Sequence, residues 1–526
     1  MRRMTPRVLA AAMAGLALAS AACTDMTVEP KSTVTEANVF NDPSSYISFL
    51  AKIYGGLAVS GQQGAAGQPD IAGIDEGFSQ YLRLLWEAQT LPTDEAVIGW
   101  GDVGLPEMNT QMWASSNSFV VAMYYRIFFQ VGMANEFLRQ TTEAKLNARG
   151  NVSDALRQQI QTYRAEARFL RALSYWHGID LFGNIPLVTD EDELGATPPP
   201  QATRQEIYNF VVAELQEIIP QLPTHGPSNY GRASREAGSM LLAKLYMNAG
   251  VYTGAPNYSG VLTALAPVLS NGTIQLNASY RKNFLADNHT SPEIIFAVTQ
   301  DGLKTQTWGG MTFLVHASCG GNMSASDYGI DGCWWGLRLK PQAYTRFQTG
   351  DSRAAFIYTT GHSLAVTSIG DFFAGYPAPK YSNRTSGGAQ GSHPTHVDTD
   401  FPMFRLADAW LMYAEAVVRG GGGSRATALG YINQLRQRAY GNASGNITDA
   451  QMTLDFILDE RGRELLWEGH RRTDLVRYGR FTGGGYIWSW KGGVQNGTST
   501  EAFRDLYPLP ANELVANPNL KQNPGY

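Results

Sequence analysis

Apolar residues recur along this chain in blocks with helical spacing, and one block is sharper than the rest. It is the stretch from Arg164 to Val188, RAEARFLRALSYWHGIDLFGNIPLV. Ala165, Phe169, Ala172, Leu173, Trp176 and Ile179 stand at i, i+4, i+7, i+8, i+11 and i+14, the period of one buried helix face. Ala165 and Ala172 let a neighbouring helix approach closely, while Phe169 and Trp176 fill the space beside them. Gly183 ends the helix, and Asn184-Ile185-Pro186 forces an extended exit.

The same reading predicts helices over 43–59, 76–85, 117–142, 153–181, 204–219, 234–249 and 258–269, with Thr203 and Ser234 as caps. From 271 to 400 the pattern breaks. Gly, Ser, Thr and Asn dominate there, and helical periodicity is short, as over 336–347. An irregular run of this length in a compact protein is usually functional. Helices resume over 406–418, 424–440 and 450–478, with Gly420–Gly423 as a flexible connector. Paired helices with small residues at their contacts suggest a tetratricopeptide-like superhelix, although the repeat period is irregular.

The first residues follow a different plan. Arg2, Arg3 and Arg7 precede an apolar run from Val8 to Ala19, and small residues then lead to Cys23. This is a signal-peptide pattern, too short for a membrane span. A cysteine at this point looks like a lipoprotein cleavage site, with Cys23 as the lipidated first residue of the mature chain. An ordinary secretory signal is the alternative, because Ser20 stands where such sites usually carry Leu. No second apolar run reaches the ~18–20 residues that a membrane helix requires.

Composition excludes some classes. Net charge is −5 and the basic residues are dispersed, which argues against nucleic acid as a partner. No HExxH, GxSxG or Walker loop occurs, and His393 and His396 form an HxxH in a Pro-Thr loop with no evident third ligand, so they read as solvent-facing loop residues and no metal is expected. No cofactor is implied. The segment from Ile457 is dense in charge: Arg461 meets Glu464 at i+3, Glu468 meets Arg471 and Arg472 at i+3 and i+4, and Arg471 meets Asp474 at i+3. Glu464 and Glu468 invite a glycosidase reading. A structural ion ladder fits better, since carboxylates beside arginines stay ionised and a glycosidase acid needs a raised pKa.

Aromatic residues are plentiful in the loops. Trp100, Trp308, Phe313, Tyr328, Trp334 and Trp335 lie there, several beside glycine. A sugar ring presents a flat C–H face that an exposed indole covers while polar groups take the hydroxyls. Any one of these side chains can equally be core. Trp334 and Trp335 are adjacent, so one can be buried while the other is exposed.

Four segments, in order, carry a family resemblance. They are the Arg164 block, FRLADAWLMYAEAVVRGG from Phe404 with INQLRQRA ending at Ala439, ILDERGRELLWEGHRRTDLVRYGRF from Ile457, and the closing YPLPANELVANPNLKQNPGY from Tyr507. Together they resemble the SusD/RagB family of outer-membrane nutrient-binding lipoproteins. The resemblance implies a mainly α fold, a tetratricopeptide-like superhelix with a long irregular, loop-rich region packed on it. It divides the chain into a signal (1–22), a tether (23–40), an N-terminal helical part (41–270), a loop-rich ligand face (271–400) and a C-terminal helical part with its tail (401–526). The loop Thr93-Asp94-Glu95-Ala96-Val97-Ile98 before Trp100 resembles a family loop near the ligand face. Trp100, Trp334 and Trp335, with Trp308 and Tyr328, are the expected ligand-binding residues.

The implied function is a non-catalytic, surface-exposed receptor. It is held at the cell outer membrane by a lipid anchor and delivers an oligosaccharide to a SusC-like TonB-dependent transporter. A tetratricopeptide-type protein scaffold and a glycan-degrading enzyme are the competing readings. In an extracytoplasmic, oxidising compartment, Cys319 and Cys333 read as a disulfide before a metal site, with two unpaired thiols as the alternative.

Overall fold

The computed structural model describes residues 39–40, 42–193, 195 and 197–526. The signal segment, Cys23 and the tether up to residue 38 lie outside the described residues. Internal contacts divide the chain into Met1–Tyr46 and Ile47–Tyr526. In the first unit the rings of Phe40 and Tyr46 pack 5.0 Å apart. All of the site described below belongs to the second.

The longer helices are α1 (Ser44–Ala58), α2 (Tyr81–Thr90), α3 (Ser118–Gln140), α4 (Asp154–Leu181), α5 (Arg204–Ile218), α6 (Arg235–Met247), α7 (Tyr258–Ser270), α8 (Gly310–Ala317), α9 (Leu406–Val418), α10 (Arg425–Tyr440), α11 (Leu454–Glu464) and α12 (Arg471–Arg477). The fold is mainly α. Helix α4 packs on both α3 and α5, α6 on α7, α7 on α9, and α9 on α10, as in a tetratricopeptide-like array. The six residues of the α4 face, from Ala165 to Ile179, are all buried. Gly178, on the opposite side of α4, allows a close approach: a methyl group there would come within 2.5 Å of the Ile185 side chain.

Caps place several of these helices. Thr203 and Glu206 form a reciprocal capping box at α5, and Ser234 accepts the Ala237 N–H at 3.1 Å at α6. Among the described residues, three short two-stranded antiparallel sheets complete the frame. They are β1 (Ala96–Ile98) with β5 (Leu337–Leu339), β2 (Ile185–Pro186) with β3 (Gln201–Ala202), and β4 (Ile294–Val298) with β6 (Phe401–Arg405).

Three expectations need correction. The helix expected over 76–85 is α2, displaced to Tyr81–Thr90. Gln80 caps it by accepting the Arg83 N–H at 2.7 Å, and all ten of its residues are buried, so no polar face marks its end. Residues 271–400 are not free of regular structure: they hold β4, α8 and β5. Within 336–347 a strand precedes the single helical turn Pro341–Thr345, in place of continuous helical periodicity.

The third correction concerns the charged C-terminal segment, which is not one helix over 450–478. Helix α11 stops at Glu464 and α12 starts at Arg471, with Trp467 between them at φ 61°. The break follows from tertiary demand. Trp467 is wholly buried, its carbonyl accepts both the Trp86 indole N–H (2.9 Å) and the Tyr381 hydroxyl (3.0 Å), and its amide donates to Glu95. An uninterrupted helix would spend those groups on itself.

The expected neighbour-to-neighbour pairs are replaced by buried long-range ones. Arg461 binds Asp408 and Asp474, Glu464 is held by Arg353, Arg405 and Arg438, and Glu468 by Lys380 and Arg405. Arg471 binds Asp94, and Arg472 binds Asp180. These pairs tie the C-terminal third to the loop before Trp100, to α4 and to the segment that holds Arg353 and Lys380.

Candidate functional site

The β1–β5 pairing explains why residues so far apart in sequence meet. Ile98 pairs with Leu337, so the end of β1 lies beside the start of β5. Trp100 is two residues beyond Ile98, and Trp335 is two residues before Leu337. The antiparallel register therefore delivers both tryptophans to the same end of the ribbon, and Gly99 N–H extends the pairing to Gly336 O at 3.0 Å.

The acids of the loop before Trp100 point inward. Asp94 is bound by Arg346, Arg471 and the Tyr486 hydroxyl. Burial alone would raise its carboxyl, but the two guanidinium groups outweigh that and hold it well below the usual carboxylate range. Lys340, just after β5, donates to the carbonyls of Leu91, Thr93 and Asn109, and burial pushes its ammonium down to about 7. The loop is thus pinned from beneath, leaving Trp100 as its outer feature.

Helix α8 sets the other half. Trp308 precedes it, with its amide bonded to Glu76 at 2.9 Å, and Cys319 follows it. The returning chain is fastened to the helix end: Trp334 N–H donates to His316 O (2.9 Å), Trp335 N–H to Cys319 O (3.0 Å) and Gly336 N–H to Ala317 O (2.9 Å). A disulfide joins Cys319 to Cys333 immediately before Trp334.

These constraints assemble an aromatic face. Trp334 is half-buried and stacks on His316 at 4.5 Å, with Trp308 at 6.1 Å and Trp100 at 6.4 Å on its other sides. Trp100 is also half-buried. Its ring contacts Phe313 at 5.7 Å, and the Arg83 guanidinium lies beneath, 4.0 Å from the Phe313 ring centre and paired with Glu87. Trp335 is turned outward at φ 57°, 46% exposed, beside Phe372 (5.6 Å) and Phe373 (6.0 Å). Trp308 is 42% exposed. Among the described residues, the exposed tryptophan and phenylalanine side chains are Trp308, Trp335 and Phe373, and all three belong to this cluster. Glycines make room beneath it: a methyl group on Gly77 would come within 2.8 Å of Trp308, and one on Gly336 within 2.9 Å of Trp100.

Of the five expected ligand-binding residues, four are brought together: Trp100, Trp308, Trp334 and Trp335. Tyr328 is not among them and lines a separate cavity. Phe372 and Phe373 were missed by the sequence reading, although an adjacent aromatic pair in a glycine-rich loop was the available signal. His396 was read as solvent-facing. It is buried, bonds Thr307 O at 3.2 Å and packs 5.3 Å from Trp308. Among the described residues no group of three or more His, Cys, Asp or Glu side chains is placed to hold a metal ion, and no helix is long and apolar enough to cross a membrane.

Comparison with known proteins adds the decisive observation. Starch-binding protein SusD of Bacteroides thetaiotaomicron is 33% identical over 92% of this chain and 94% of its own. The chain belongs to the SusD family. The SusD family model itself matches residues 359–526. SusD-like protein P25 of Formosa agariphila is 26% identical over 72% of this chain and 75% of its own. Among solved structures, a SusD superfamily protein of B. thetaiotaomicron superposes with a TM-score of 0.71 at 19% identity, covering 92% of this chain and 99% of that one. Surface glycan-binding protein A of the same organism, solved with laminarihexaose, gives 0.68 at 20% identity over 91% and 99%. These two likenesses establish the fold of this SusD-family chain.

Proposed function

We propose that this chain is a non-catalytic receptor that binds an oligosaccharide on the face formed by Trp308, Trp335, Trp334 and Trp100. In this reading the protein is anchored through a lipid on Cys23 to the outer face of the outer membrane, and it delivers its ligand to a SusC-like TonB-dependent transporter. The observation that carries the binding role is the pair of exposed indoles, Trp308 and Trp335, on a base fixed by β1–β5, α8 and the Cys319–Cys333 bond. Exposed aromatic faces cost a soluble surface its contact with water, and a stacked sugar ring relieves that cost. Family membership supports the same reading, since the relative SusD is named for starch binding and a structural neighbour was solved with a glucan.

The carboxylates favour binding over hydrolysis. Burial would raise Glu464, but Arg438, Arg405 and Arg353 hold it well below the usual carboxylate range, and Glu468 is enclosed by Lys380 and Arg405. Both side chains are buried and engaged by cations, which is a structural ion cluster and not a pair of carboxyls flanking a bound sugar.

Native affinity electrophoresis against a panel of starch, laminarin and other glycans, with product analysis of each mixture, tests the proposal. Retardation by a glycan without new reducing ends is expected. Retardation by none, or accumulation of shorter products, refutes it. Co-purification of a TonB-dependent transporter from detergent-extracted outer membranes tests the delivery step.

A further inference from the structure

A second cavity lies apart from the tryptophan cluster. It has a volume of about 620 Å³, within the ~300–1,000 Å³ typical of small-molecule sites. Its walls include Tyr328, Phe356 and Tyr358, and Arg281 and Ser279 also line it. It thus combines aromatic surfaces with a cation.

Arg281 is unlike the other lining arginine. Arg438 is neutralised by Glu293 and Glu464. Arg281 has no carboxylate within ion-pair distance among the described residues, and its neighbours Tyr328 and Tyr280 are phenols that burial keeps neutral. Its Nη1 donates to the carbonyls of Pro379 (3.0 Å) and Lys380, which fixes the plane of the group. Nε and Nη2 bond nothing in the described residues and are not sealed from solvent. Those two N–H groups share one edge of the guanidinium, the edge that grips a carboxylate or sulfate with two parallel hydrogen bonds. Burial pushes the group down to about 10, so it remains charged at neutral pH.

The charge behind the cavity has the same sign. The linked ion pairs there join Arg353, Arg405, Arg436, Arg438, Arg463 and Lys380 to Asp351, Glu293, Glu460, Glu464 and Glu468, six cations against five carboxylates. An anion entering the cavity meets this one-charge excess and Arg281, against the carboxylate of Asp327 beside Tyr328.

We infer that this cavity is a second binding site, for an anionic sugar unit whose carboxylate or sulfate is gripped by Arg281 while its ring lies against Tyr328, Tyr358 or Phe356. The site stands independently of the tryptophan face. Isothermal titration with trigalacturonate and with glucose 6-sulfate, against galactose and glucose as neutral controls, tests it at low and high salt. At least one anionic probe binds, its affinity falls with added salt, and the neutral sugars do not compete for it. Arg281→Gln lowers that affinity at least tenfold. Ser279→Trp, at an exposed position lining the cavity, does the same by obstructing it with an indole while Arg281 itself is kept. Trp335→Ala leaves it unchanged. Binding of neither anionic probe, equal binding of charged and neutral sugars, or full retention in Ser279→Trp overturns the inference. Loss in Trp335→Ala places the anionic sugar on the tryptophan face and overturns it too. Retardation of neutral glycans in gels is read separately, so failure of one site is not mistaken for failure of the other.

Discussion

The Trp100 indole N–H donates to the carbonyl of Trp334 across 3.1 Å, joining loops separated by 234 residues in sequence. That bond leaves the two rings in different circumstances from their neighbours. Trp100 and Trp334 are structural as well as available for contact, whereas Trp308 and Trp335 keep close to half of their surface exposed.

Substitutions at the four positions should therefore separate. Trp335→Ala and Trp308→Ala are expected to weaken binding of the retained glycan by on the order of 1 kcal/mol each, a several-fold loss, with little change in melting temperature. Trp100→Ala and Trp334→Ala are expected to lower both. Thermal melts beside titrations check this, and normal binding in all four variants would remove the tryptophan face from the proposal.

Gly336→Ala tests the base of the face. The added methyl would come within 2.9 Å of the Trp100 ring, so the ring or the strand beneath it must shift. Overpacking of this kind costs about 1–3 kcal/mol. Weakened glycan binding is expected even though Gly336 itself offers no side chain to a ligand. An unaltered titration would mean that the orientation of Trp100 is immaterial.

The Cys319–Cys333 bond is expected to be present in the mature protein, so the unreduced, denatured chain should show no free thiol from this pair. Replacing both by Ser should cost at most about 3 kcal/mol by the loop-entropy argument. Glycan affinity should fall as well, because Trp334 follows Cys333 directly and a looser loop must be ordered by the ligand. Two titratable thiols in the native preparation would sink this expectation.

Asp400 supplies a pH test. Burial pushes its carboxyl up to about 7, although it accepts the Tyr230 hydroxyl and the Gln300 N–H, both at 2.7 Å. A raised folded-state value contributes stability that is complete below the ordinary carboxylate pKa and lost as pH climbs through the folded one. Between pH 5 and pH 8 the wild type should lose on the order of 2 kcal/mol relative to Asp400→Asn. Parallel melting curves at the two pH values measure the difference, and parallel behaviour of the two proteins contradicts it.

Cys23→Ser should leave the fold intact and release the protein from the outer-membrane fraction. Unchanged membrane retention, together with an unmodified N-terminus in the mass spectrum, would exclude the lipid anchor.

How much of this was legible beforehand depended on where the controlling contacts lie. Helix α4 was readable because small and large apolar residues recur at helical spacing and Gly183 with Pro186 marks its end, even though every residue from Ala165 to Leu181 except Arg168 is buried. The boundary of α2 was not, since its ten buried residues mix polar and apolar types with no polar face to mark its limits. The break at Trp467 was hidden because its cause sits on Trp86 and Tyr381, far away in sequence. Similarly, the charges of α11 and α12 looked like local ladders because local spacing was the visible pattern, while their real partners, Asp94, Asp180, Arg353, Arg405 and Asp408, lie on distant segments. The tryptophans could be named from composition and loop context. Their division into supporting and exposed rings needed the β1–β5 register, and Phe372 and Phe373 became part of the face only through it.

The binding of Asp94 by Arg346 and Arg471 bears on how such a chain comes into being. Asp94, in the loop before Trp100, meets Arg346 from 252 residues further along the chain and Arg471 from 377 residues further along. Until Arg471 is made, this buried carboxylate has only one of its two guanidinium partners, and removing one partner from a buried ion cluster is strongly destabilising. The last of the two charges that fix this early loop is therefore among the late residues of the chain.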